Sequence, residues 1–148
     1  MAEKKIGPRG SERTFKVEPL LIIASLNLKF RLAKILGPGM ERLPSILGGL
    51  SGDEVVKLRA NEEAIRAITA ILSTLEPEDA TDLVKEVVEI AKVKRASGDY
   101  DPVDLEGDFQ GREADIIPVM LFVLKEQFAD FFSGVQEIGR QKAAVYKA

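Results

Sequence analysis

The residues with the clearest chemical capacity lie between Asp99 and Asp108, where Asp99, Asp101, Asp104, Glu106 and Asp108 gather carboxylate oxygens as a calcium loop does. Their spacing argues against that chemistry. Counted from Asp99, an EF-hand loop needs Asp or Asn at its fifth position, Gly at its sixth and Glu at its twelfth, where this chain has Val103, Asp104 and Gln110. The segment Asp99 to Phe109 therefore reads as a solvated acidic loop. Gly37-Pro38-Gly39 lacks both the third glycine of a dinucleotide fingerprint and the Lys-Ser/Thr of a phosphate loop, and reads as a helix stop. Ser51 in GGLSGD lacks the closing glycine of a nucleophile elbow. With 0 His and 0 Cys, the chain is without the usual general base, thiol nucleophile or soft zinc ligand. The reading is a non-enzyme with no catalytic residue, no metal site and no cofactor.

The elements that must position the remaining candidates are helical. Residues Asp108 to Phe132, DFQGREADIIPVMLFVLKEQFADFF, form the most distinctive run. Ile116, Met120, Leu124 and Phe128 step by four, and Ile117, Leu121, Leu124, Phe128 and Phe131 fill the neighbouring stripe of one helix face. Each large apolar side chain taken out of water contributes roughly 1.5–3 kcal/mol, so the stripe needs a cover, either the protein's own core or a partner. Phe131 and Phe132 diverge by about 100° around a helix axis, so both cannot share the position of Phe128 unless the buried stripe is wide. Leu121, Phe128, Phe131 and Phe132 are the candidate partner-binding residues, with Phe128 expected to hold the core.

Upstream, Pro19 to Leu36 reads as a helix with Leu21, Ala24, Leu28, Leu32, Ile35 and Leu36 inward and Lys29, Arg31 and Lys34 outward. A short helical turn around Glu41 to Leu47 precedes Gly48 and Gly49, and Ser51 or Asp53 caps a helix carrying Leu58, Ile65, Ile68, Leu72 and Leu75. Pro77 opens a further helix with Ala80, Leu83, Val84, Val87, Val88 and Ala91 inward. Thr14 to Val17 alternates as a short strand or extended arm. Val93, between two lysines, suits either the end of a helix or a strand paired with Phe15 and Val17. Pro118 belongs in the first turns of the last helix, or else kinks it. The fold class expected is mainly α, a compact bundle of about four main helices with room for a short N-terminal strand or hairpin. The domain boundaries expected are a flexible basic tail over residues 1–13, a helical domain over 14–132 and a polar tail over 133–148.

Composition limits the partners. The chain has 148 residues, 45% hydrophobic and 30% charged, with a net charge of −3, which suits one globular domain and gives no general attraction to nucleic acid or anionic membrane. Only Lys4, Lys5, Arg9, Arg13 and Lys16 form a local basic cluster. No apolar run approaches the roughly 18 residues needed to span a bilayer, and the polar start is unlike a signal peptide, which points to the cytosol. Neither nucleic acid nor membrane is an expected partner.

FKVEPL, LKFRLAKILGP and above all FQGR followed by a helix ending in FADFF resemble the tail assembly chaperones of tailed bacteriophages and prophages. The likeness spans Phe15 to Phe132 and is strongest in Phe109, Gly111 and Arg112, paired with the aromatic end Phe128 to Phe132. It implies a small, mostly helical protein that keeps the tape measure protein soluble and helps recruit tail tube subunits in the host cytoplasm, and that is absent from the finished virion. It also implies that a frameshifted longer form would branch near residues 133–148. Self-association through the aromatic end fits the same pattern. The alternatives are a structural tail or neck component or another non-enzymatic interaction protein, and, further off, a small enzyme or nucleic-acid regulator.

Overall fold

A computed structural model describes residues 2–37 and 54–128. In chain order the elements are β1 (Ala2–Ile6), β2 (Arg13–Val17), α1 (Ile22–Leu36), α2 (Glu54–Leu72), α3 (Pro77–Val88), β3 (Lys92–Lys94), β4 (Tyr100–Pro102), the one-turn α4 (Leu105–Asp108), a 3-10 turn (Glu113–Asp115) and α5 (116–128). The expectations for Glu41 to Leu47, Gly48, Gly49, Ser51, Asp53, Phe131 and Phe132 lie outside the described residues.

The fold is not the helical bundle expected from periodicity. The strands form one four-stranded antiparallel sheet in the order β1-β2-β3-β4, so the architecture is helices against a sheet. The pairing of Phe15 with Val93 does occur, and it is the central ladder of that sheet. The outer strands were hidden for a physical reason. As edge strands they bury little, and β1 exposes Glu3, Lys4 and Lys5 while Ile6 alone is buried, which gives the segment the composition of a tail. β1 nevertheless pairs along its length with β2, from Ala2 opposite Val17 to Ile6 opposite Arg13. β4 occupies three residues inside the segment expected to be a loop, and α4 follows it.

One sheet face joins the core through Ile6, Phe15, Val17 and Val93, which cluster with Leu28 and Leu32 of α1, Ile68 of α2, and Leu83, Val87 and Val88 of α3. The opposite face is polar and tied by side chains. Glu18 bonds Lys16 at 3.1 Å and Lys92 at 3.7 Å, while the Tyr100 hydroxyl donates to Glu3 Oε1 at 3.0 Å.

α5 lies at the centre. Its buried residues run continuously from Val119 to Leu124 and resume at Gln127 and Phe128, so it is covered all round rather than along one stripe. Pro118 falls in its first turn, where backbone N–H groups have no helical partner to lose. Gln127 also explains why α1 starts three residues later than Pro19. Its amide nitrogen donates to the Glu18 carbonyl at 2.8 Å and its oxygen accepts from the Leu20 N–H at 3.2 Å, holding that connection extended. The inner face of α1 is accordingly Ser25, Leu28, Leu32 and Leu36, and Leu21 and Ala24, expected inward, are exposed.

Candidate functional site

The segment Phe109 to Arg112 is built to fasten the start of α5 to the sheet. Phe109 is buried and its ring stacks parallel to that of Phe15, with centroids 6.4 Å apart. The Arg13 guanidinium sits 5.2 Å from each ring centroid, and its Nη1 donates to the Asp108 carbonyl at 2.6 Å. The chain then turns at Gly111, whose φ of +71° is the left-handed conformation that favours glycine. That turn aims Arg112 back across the loop. Its Nε meets Asp115 Oδ2 at 3.1 Å and its Nη2 donates to the Ser11 carbonyl at 2.5 Å, tying the turn between β1 and β2. Asp115 is buried and also receives Arg13 Nη2 at 3.4 Å, so two cations share one carboxylate. A side chain at Gly7 would meet this Arg112 nitrogen at 2.6 Å, which is why the guanidinium can pass beneath the β1–β2 turn.

Three of the five carboxylates that suggested a calcium loop, Asp101, Asp104 and Asp108, serve the same fastening. Asp108 takes Arg95 Nη1 at 2.6 Å and Nη2 at 3.3 Å, a bidentate pair, and accepts the Asp104 N–H at 2.7 Å. Burial alone would raise the Asp108 pKa, but the Arg95 bonds, the Asp104 N–H and the charges of Arg95 and Arg13 together hold it below the ordinary carboxylate value. Asp101 accepts from Arg95 Nε at 3.2 Å, and Asp104 caps α4 by accepting the Gly107 N–H at 3.2 Å. These oxygens are engaged with a guanidinium and with backbone donors. Among the described residues no group of three or more metal-ligating side chains gathers around a common point.

The candidate partner-binding residues are placed differently. Leu121 is 4% exposed and lines a cavity of about 410 Å³ with Ile6, Pro8, Ile65 and Pro118. Phe128 is fully buried, and Lys29 Nζ lies 5.5 Å from its ring centroid. Both side chains therefore help to form the core. A shallower groove of about 440 Å³ is lined by Val84, Leu105, Ile116 and Ile117, with Glu106 and Glu113 on its margin.

Among the described residues, the exposed large apolar side chains lie on α1 and at Leu21 just before it, a surface that the sequence reading did not single out. Leu21 is 85% exposed, Ile22 70%, Ile23 72%, Leu26 41% and Phe30 70%. The signal was present in IIASLNLKFRLAKIL, which holds more large apolar residues than one inward face can accommodate. A helix apolar on two sides has a second face to cover, and here that face points to solvent.

The family model of the phage tail assembly chaperone protein matches residues 10–139 of the chain. That span includes Phe109, Gly111, Arg112, α1 and α5, and the chain belongs to this family. No curated protein and no solved structure matches it.

Proposed function

We propose that the chain keeps the tape measure protein of its phage soluble and helps bring tail tube subunits to it during tail morphogenesis. It acts in the host cytoplasm without chemistry of its own and leaves before the virion is complete. The observation that carries this reading is the family match over residues 10–139. The exposed apolar face of α1 supports it, since a chaperone needs accessible apolar surface to shield that of a client, at roughly 1.5–3 kcal/mol for each large side chain covered. Among the described residues no helix is long and apolar enough to cross a membrane. The charged groups around Phe109 are consumed in holding the fold together and support a scaffold role for that motif.

Deletion of the gene tests the reading. Infected cells should fill with heads that lack tails, tails should return when the chain is supplied in trans, and purified wild-type particles should not contain it. Normal tails without the gene would overturn the assembly role, and a fixed copy number of the chain in purified particles would favour a structural component.

A further inference from the structure

The sheet ends on two unlike edges. β4 is three residues long and finishes in Pro102, which has no N–H to offer a further strand. β1 is five residues long and contains no proline. Its ladder to β2 uses one edge, and no backbone bond joins Ala2, Glu3, Lys5 or Ile6 to any other element among the described residues. The outer edge has room beside it. The cavity of about 410 Å³ is lined by Lys4, Lys5 and Ile6 in succession, across from Ile65 of α2 and Pro118 and Leu121 of α5. Because successive strand residues point to opposite faces, a space that meets all three runs along the edge of the strand, on the side away from β2.

The sequence of β1 decides which strand fits there. Residues opposite one another in an antiparallel pair share a face, so a strand that meets its own copy across a two-fold axis does so with one residue on the axis. Only with Lys4 on the axis does the whole of AEKKI pair. Glu3 then stands opposite Lys5 of the second copy on the polar face, twice over by symmetry, and Ala2 stands opposite Ile6, where a small side chain lets the strand lie beside the cavity. Glu3 is already held for this. Its Oε1 accepts from the Tyr100 hydroxyl at 3.0 Å, while Lys16, opposite it in β2, bonds Glu18 instead. Lys5 makes no ion pair among the described residues. Lys4 meets its own copy, one unfavourable pair against two of opposite charge. Edge lysines ordinarily discourage pairing, and Glu3, two residues before Lys5, turns one of them into a partner. With Pro102 closing the far edge, pairing stops at two copies.

We propose that β1 pairs antiparallel with β1 of a second copy, with Lys4 at the two-fold axis, joining the two four-stranded sheets into one. This surface lies ahead of the family-matched span, which starts at residue 10, and does not depend on the function proposed above. Analytical ultracentrifugation of the full chain, with no tag before Met1, tests it. Wild type should form dimers at concentrations on the order of 100 μM, the weak affinity expected of one short ladder. Glu3→Lys and Lys5→Glu should each be monomeric at that concentration, since each sets like charges opposite one another twice. An equal mixture of the two should dimerise again, because each supplies the charge that the other lacks. Lys4→Thr should tighten the pairing by about tenfold. All of these variants should keep the circular dichroism of wild type.

Wild type that stays monomeric at that concentration, single variants that dimerise as wild type does, or a mixture that stays monomeric would overturn the proposal. Hydrogen exchange supplies a separate check. In dilute solution the β1 amides that point away from β2 should exchange fast and become protected as the dimer forms. Protection of every β1 amide in the monomer would mean that the chain itself covers this edge, and would overturn the proposal as well.

Discussion

Asp108 and Asp115 hold the approach to α5 through three arginines, and substitutions there have signs that follow from the geometry. Asp108→Asn removes the charge that Arg95 grips in a bidentate pair and should cost about 1–2 kcal/mol, with the exposed part of Arg95 screened by solvent. Because the folded-state pKa of Asp108 is depressed, its contribution is complete above an unfolded carboxylate value of about 4 and fades as pH falls through the lower folded value. Urea unfolding of wild type and Asp108→Asn should therefore differ equally at neutral pH and near pH 5, and converge at strongly acid pH. A difference that grows on acidification would contradict the assignment. Gly111→Ala tests the turn separately. A Cβ there meets nothing within 4 Å, so the expected loss of about 1–2 kcal/mol comes from the left-handed backbone alone. Phe109, Gly111 and Arg112 were legible in the sequence as a motif, but their work was not, since the partners Arg13, Phe15 and Ser11 lie far away along the chain.

At the scale of elements, α5 is buried on more sides than its stripe suggested, and α1, besides its expected inner face, carries an exposed apolar side. The stepped apolar residues of α5 were plain, yet Val119, Phe122 and Val123 fall off the stripe and are buried as well, because the sheet and the other helices surround it. Phe128→Ala should cost roughly 3–5 kcal/mol as a large-to-small change in a fully buried site. Phe30→Ser on α1 should change unfolding by no more than about 0.5 kcal/mol, since its side chain is already mostly in water. Equal losses for the two would mean that the outer face of α1 is covered within the monomer. Of Phe131→Ala and Phe132→Ala, we expect at least one to preserve thermal unfolding while weakening self-association or capture of the client; two variants as unstable as Phe128→Ala with normal association would assign that end to the core alone. The β2–β3 ladder was readable from Phe15, Val17 and Val93. β1 and β4 were not, because short edge strands rich in charge carry too few buried residues to show a period of two.

Among the described residues, a four-stranded sheet and its helices join around one core and leave an exposed apolar ridge along α1, in a chain of net charge −3. Family membership covers residues 10–139, so the matched span carries both the fastening motif and the ridge. The resemblance was legible early because Phe109, Gly111 and Arg112 sit close together in sequence. The sheet was not, because its ladders join segments distant along the chain. The soluble fraction of the tape measure protein, measured in cells that make it alone or with the wild-type chain, tests the central claim most directly. Wild type should move the tape measure protein from pellet to supernatant. A tape measure protein as insoluble with wild type as without it would contradict the account.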